Sequence, residues 1–279
     1  MSNNLYIRNN LQISKLTTRN YSTSFSLGVR MLNRRIQNPI YAIYGFVRYA
    51  DEIVDTFHDY PQQEMLDEFI GQTYQAIERG ISMNPILDSF QWVVNIYGIE
   101  KAHIDAFLKS MRMDLDNTDY DEELIGTYIY GSAEVVGLMC LRIFCHDDDQ
   151  EYEALKPYAR KLGEAFQKVN FLRDINSDYQ ERGRTYFTRM AHDGFTREVK
   201  EEIERDIEKD FREAYQGIRM LNKKVRFGVY LAYMYYMRLF KKIRQSEPNA
   251  VMNGRLRIAN SHKLYLLFKA YLRNSMNML

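Results

Sequence analysis

Apolar residues recur at three- and four-residue steps through most of this chain, and that pattern leaves little room for anything but helices packed on helices. Between residues 39 and 57, Ile43, Phe46, Val47, Ala50, Ile53, Val54 and Phe57 form one stripe at this spacing. No run of Val, Ile or Thr alternates between Asn-Gly or Asp-Gly turns, so a sheet has no support. Further helices are predicted over about 22–33, 62–79, 84–96, 101–114, 121–144, 149–179, 195–221, 223–245 and 255–274. Pro39, Pro61, Pro85, Pro157 and Pro248 are expected at helix starts or interhelical turns. No linker, low-complexity block or solenoid repeat intervenes, so residues 1–279 are read as one all-α domain.

Charge is balanced, with 38 Lys plus Arg against 37 Asp plus Glu, which argues against a nucleic-acid partner. The interest lies in where charges cluster. Cys140 and Cys145 diverge on a helix and match no zinc spacing, so a reduced, cytoplasmic protein is expected. Met1 to Asn10 is polar, without the apolar core of a signal peptide. The apolar run Phe227–Met237, bounded by Arg226 and Arg238, is too short to span a bilayer. The expectation is a soluble protein, with peripheral membrane contact through the basic residues Lys223, Lys224, Arg226, Arg238, Lys241, Lys242 and Arg244 as a secondary reading beside a merely solvated face.

Two helix faces carry the chemistry. Tyr41, Tyr44, Arg48, Asp51 and Asp55 fall within an arc of about 80° at 100° per residue. Like charges at the Asp51/Asp55 spacing repel, unless a cation sits between them. Hard oxygen ligands suit magnesium, which keeps waters and takes one or two carboxylates plus substrate phosphates. Gln167, Asn170, Asp174 and Asp178 share a second arc of about 80°. They lie in a segment that otherwise reads as core, with Arg173 and Arg182-Gly183-Arg184 nearby. Such a face is costly to bury without a metal or polar ligand. A solvated acidic face explains either helix alone; two such faces beside arginine favour a joint site.

These segments resemble motifs of the squalene/phytoene synthase family, in wording close to its bacterial carotenoid-pathway members. Arg48-Tyr49-Ala50-Asp51-Glu52-Ile53-Val54-Asp55 looks like the first aspartate-rich motif, and Gln167 through Asp178 like the second. Gly183-Arg184-Thr185-Tyr186-Phe187 resembles the segment that follows, and Tyr21-Ser22-Thr23-Ser24-Phe25 the N-terminal serine motif. Tyr128 to Gly137 resembles the central small-residue helix, and the likeness spans about 20–265. It implies an isoprenoid synthase fold with the aspartate motifs facing each other across a central cavity. It implies magnesium (manganese as a substitute) on Asp51, Asp55, Asn170, Asp174 and Asp178. Ser22, Ser24, Arg48, Gln167, Arg173, Tyr236 and Arg255 are the implied diphosphate or polar contacts, with Phe25 beside them and Tyr44 and Tyr186 near the reacting carbons. Gly131, Ser132, Ala133 and Gly137 either let a prenyl chain approach the backbone or serve close helix packing. Glu134 stands where many members have Gly.

The implied reaction joins two geranylgeranyl diphosphates head to head, through a cyclopropyl diphosphate, to phytoene, without NADPH. The rivals are a squalene or dehydrosqualene synthase acting on farnesyl diphosphate, and a non-catalytic binding relative. The oligomeric state is left open.

Overall fold

Polar side chains set where several helices begin. Ser22 accepts from the Phe25 amide at 3.2 Å, Asn33 from Arg35 at 3.0 Å, Asn84 from Ile86 at 3.0 Å and Asp121 from Leu124 at 2.8 Å. The computed structural model describes residues 2–116, 120–146, 148–180, 186–187, 190, 193–259, 265–267 and 269–270. Its helices are α1 (Ser2–Tyr21), α2 (Thr23–Arg30), α3 (Arg34–Thr56), α4 (Gln62–Arg79), α5 (Pro85–Tyr97) and α6 (Lys101–Asp116). They continue as α7 (Glu122–Ile129), α8 (Val135–Phe144), α9 (Asp149–Gln180), α10 (Arg197–Met220), α11 (Lys223–Arg244) and α12 (Pro248–Met252). A π-helical turn, Tyr130–Glu134, joins α7 to α8. No strand occurs among the described residues, as the periodicity predicts.

Helix α3 is the spine. Its stripe, with Ile43, Phe46, Ala50 and Val54 nearly inaccessible, packs against α1, α4, α5, α6 and α8. Phe46 stacks on Phe90 with ring centroids 3.7 Å apart and meets Phe107 at 5.3 Å. Truncating such a buried ring typically costs about 3–5 kcal/mol. A second core joins α9, α10 and α11 through Val169, Leu172, Ile207, Phe211, Phe240 and Ile243. The two cores leave the polar faces of α3 and α9 outside both apolar contacts.

Three expectations need correction. Residues 2–21 are helical, although no apolar stripe announces them. Pro39 and Pro157 lie inside α3 and α9 rather than at helix starts, whereas Pro85 and Pro248 open α5 and α12 and Pro61 precedes α4. Residues 255–259 are not helical; of the helix expected over 255–274, only 265–267 and 269–270 are described as such.

Glu122–Phe144 is long and apolar enough to cross a membrane. Val135, Leu138, Met139 and Leu141 are nevertheless buried, and the segment packs on α3, α6 and α9. It is a core helix whose apolarity is explained without lipid. Glycines permit its close contacts: a Cβ at Gly131 would lie 2.2 Å from the Ala106 carbonyl oxygen on α6. A Cβ at Gly163 on α9 would lie 2.7 Å from the Ala133 carbonyl oxygen. Cys140 and Cys145 are free thiols, both pushed up to about 12 by burial.

Candidate active site

Helix α3 carries Tyr44, Arg48, Asp51 and Asp55 on its polar face, all half-buried. Arg48 donates to both Asp51 and Glu52, and its guanidinium lies 4.4 Å from the centre of the Tyr21 ring. Burial opposes its charge, but the two carboxylates hold its pKa above the ordinary value. The Ser22 hydroxyl lies near the Tyr44 phenol and favours its ionised form. Phe25 stacks on Tyr44 at 4.8 Å, and Ser24 is half-buried in the first turn of α2. Burial pushes the Tyr44 phenol up to about 12, with Arg48 opposing and Asp51 and Tyr236 adding to the rise.

Helix α9 presents Gln167, Asn170, Asp174 and Asp178. Asn170 donates to Gln167 Oε1 at 3.4 Å, and Arg173 Nε donates to Asp174 Oδ1 at 3.0 Å. Arg255, from the non-helical segment after α12, places Nε 2.8 Å from Asp174 Oδ1. Asp174 is thus gripped by two guanidiniums, and the field of Asp178 reaches both arginines. Burial opposes the charge of Arg173, but Asp174 holds its pKa above the ordinary value. Burial lowers that of Arg255, with Asp174 opposing and Arg173 and Arg257 assisting.

Tyr236 on α11 meets the α9 face. It donates to Asn170 Oδ1 at 3.3 Å, stacks on Phe166 at 3.8 Å, and lies within the field of Tyr44. Asn170, Arg173, Asp174, Tyr236 and Arg255 are thus joined around one polar face of α9, while Ser22, Tyr44, Arg48 and Asp51 line the polar face of α3. Tyr186 lies in an adjoining aromatic cluster, stacked on Phe171 at 4.0 Å and on Tyr128 at 5.5 Å. Ala133 is half-buried with its carbonyl against Gly163, and a Cβ at Gly137 would lie 3.1 Å from the Ala159 carbonyl oxygen. Glu134 pairs with Arg160 Nε on α9 at 2.5 Å. Arg182, Gly183 and Arg184 lie outside the described residues.

Tyr21 and Glu52 fall within the motifs but carry no expected role in the sequence, and Phe166 reads there as core. Glu52 stands four residues after Arg48, the spacing at which helical ion pairs form, and Phe166 adjoins the second motif. Another acidic group, Glu164, Asp206 and Asp210, has ligand atoms within 4.8 Å of one another. The ammonium groups of Lys161 and Lys168 already compensate it, so it is an ion-pair network rather than an open cation site.

The helical architecture with paired acidic faces defines an all-α isoprenoid synthase fold. A crystal structure of a dehydrosqualene synthase in complex with ligand superposes with a TM-score of 0.82 at 22% identity, covering 96% of this chain and 98% of that one. Squalene synthase HpnC from Alicyclobacillus acidocaldarius superposes at 0.72 with 20% identity, over 90% and 97% of the two chains. In sequence, the squalene/phytoene synthase family profile matches residues 18–262, and the chain belongs to that family. Members are prenyltransferase-type enzymes that condense prenyl diphosphates. Relatives include the 4,4'-diapophytoene synthase of Staphylococcus haemolyticus, 25% identical over 93% of this chain and 96% of that one. The 15-cis-phytoene synthase of Synechocystis is 28% identical over 94% and 84%. The chloroplastic phytoene synthase of an Oncidium hybrid cultivar is 27% identical over 91% of this chain but 66% of its own length.

Proposed function

We propose that the chain joins two geranylgeranyl diphosphates head to head, through a cyclopropyl diphosphate, to give phytoene and free diphosphate. What supports the reading is the pair of aspartate-bearing faces, Arg48 bonded to Asp51 on α3 and Arg173, Arg255 and Tyr236 gathered about Asp174 and Asn170 on α9. A binding relative would be free to lose the aspartates; Asp51, Asp55, Asp174 and Asp178 are all present.

The donor set fits magnesium: carboxylate and amide oxygens in two stripes, with Asp51 and Asp174 held by guanidinium groups. Asp51, Asp55, Asn170, Asp174 and Asp178 would hold it, with manganese as a substitute. Bound there, it supplies Lewis-acid stabilisation to a departing diphosphate. Arg48, Arg173 and Arg255 would trade their carboxylate partners for diphosphate oxygens, assisted by Ser22, Ser24 and Gln167. The raised Tyr44 pKa keeps its phenol protonated at neutral pH. The rings of Tyr44, Phe25, Phe166 and Tyr236 offer aromatic faces to an allylic cation, with Tyr186 serving further along the chain. The apolar helices exclude the water that would quench it. No NADPH is invoked. A cytoplasmic location, with peripheral membrane contact through exposed Lys223, Lys224 and Lys241, belongs to the same reading.

The S. haemolyticus relative and the dehydrosqualene synthase superposition favour a second reading, condensation of farnesyl diphosphate to a C30 product. Incubation with each prenyl diphosphate, with and without NADPH, and mass spectrometry of the hydrocarbon separates the two. Dominant C30 product, or a strict need for NADPH, refutes the phytoene assignment. Absence of magnesium-dependent diphosphate release from either substrate refutes catalysis altogether.

A further inference from the structure

Lys168 sits inside the second motif yet turns away from its polar face. At 100° per residue, Lys161, Glu164 and Lys168 cluster about 110° around α9 from Gln167, Asn170, Asp174 and Asp178. Lys168 Nζ lies 2.6 Å from Glu164 Oε1 and 2.6 Å from Asp210 Oδ2, and it also pairs with Asp206. Lys161 Nζ reaches the other Asp210 oxygen at 2.9 Å and Glu164 Oε2 at 2.7 Å. Asp210, on α10, is 1% exposed. One buried carboxylate of α10 is therefore gripped, one oxygen each, by two lysines two turns apart on α9.

Such a network is weak support for stability in itself, because desolvation of buried charges offsets most of their attraction. What it supplies is direction. The remaining α9–α10 seam includes apolar pairs such as Phe166 and Phe211, which pack closely but form no directional bond. A roll of α9 by about 20° would carry a carboxylate at a radius of about 6 Å through roughly 2 Å. Metal–oxygen distances tolerate only about 0.2 Å.

We propose that Asp210, Lys161 and Lys168 are positioning residues that fix the roll of α9 and so hold Asp174 and Asp178 where they share metal and diphosphate with Asp51 and Asp55. The inference rests on the reading of those aspartates given above.

The experiment is thermal denaturation of the whole chain with inorganic diphosphate and increasing magnesium. Asp174→Asn tests the aspartate site itself: a parent-like response refutes that reading, and the positioning role with it. With that control abolished, Asp210→Asn and Lys168→Met should each raise the magnesium needed for half-maximal stabilisation by about tenfold, the range typical of groups supporting metal ligands. Lys168→Arg keeps the cation and should stay within about twofold. Asp210→Asn is isosteric and leaves both lysines with Glu164, so it keeps the question answerable if Lys168→Met does not fold. Parent-like magnesium midpoints in Asp210→Asn and in every folded Lys168→Met sample, whatever their melting temperatures, overturn the positioning role.

Discussion

Replacing Gly131 by alanine should separate the two meanings open to the small residues of the central helix. A Cβ there would lie 2.1 Å from Ser110 Oγ and 2.2 Å from the Ala106 carbonyl oxygen, where ordinary contact begins near 3.4 Å. Ser110 can rotate, at the loss of its 3.2 Å hydrogen bond to the Tyr128 carbonyl. The Ala106 carbonyl is helix backbone, so the π turn and α6 must part by about 1.2 Å, the shortfall from that contact distance. Overpacking costs about 3 kcal/mol at the upper end of its usual range. The lost hydrogen bond adds about 1 kcal/mol. Relief of glycine's backbone entropy returns about 1 kcal/mol. The net of about 3 kcal/mol, at roughly 2–4 °C per kcal/mol, lowers the melting temperature by about 6–12 °C. Gly71→Ala on α4 is the control: nothing lies within 4 Å of its Cβ. It should melt about 1–3 °C above the parent, since alanine there only restricts the unfolded chain. Circular dichroism melts of both variants suffice. If Gly131→Ala melts within about 2 °C of the parent and instead turns over geranylgeranyl diphosphate less well than farnesyl diphosphate, the packing argument is wrong and Gly131 serves the prenyl chain.

Other outcomes follow from the same geometry. Glu134→Gly removes the partner of Arg160, so it should lower the melting temperature while leaving product chain length unchanged; a change in hydrocarbon length would mean that Glu134 faces the substrate. In chelator, Asp55→Asn should melt no lower than the parent, because it removes one member of a like-charged pair; a large drop would mark Asp55 as structural. Tyr44, Tyr152, Tyr233 and Tyr235 are each pushed up to about 12, chiefly by burial. The unfolded chain releases these protons near pH 10 and the folded chain near pH 12, so stability should fall between those values. Denaturant melts across that window check it, and an unchanged midpoint up to pH 12 refutes it.

The stripe on α3 was legible because its buried face is apolar. Helix α1 was not, because most of its buried residues are polar, Asn10, Ser14, Thr17 and Thr18 beside Leu11, while Leu5 and Leu16 are exposed. Asn10 donates to Asp88 at 2.8 Å, and a Cβ at Gly45 would lie 3.2 Å from Ser14 Oγ. Helix–helix contact made largely through small polar side chains leaves only a weak hydrophobic period to read. The candidate site was legible where chemistry repeats along one helix, as at Asp51/Asp55 and Asp174/Asp178. The bond of Tyr236 to Asn170 and the grip of Arg255 on Asp174 join residues 66 and 81 positions apart, which periodicity cannot pair. The pairing of Lys161 and Lys168 with Asp206 and Asp210 was invisible for the same reason: α10 supplies two of the network's three carboxylates.

The π turn at Tyr130–Glu134 has a further consequence for how this family member tolerates changes in length. A π turn amounts to an α-helix that has absorbed one additional residue locally, leaving the segments on either side facing as before. Loss of one residue elsewhere in a core helix would rotate everything beyond it by about 100° and bury the wrong face. Here the same deletion can be taken up by a return to α geometry, with α7 still against α6 and α8 still against α3 and α9. The middle of the most apolar helix is thus the point in the core where the number of residues is negotiable, and where relatives can differ by an insertion without disturbing either aspartate-bearing face.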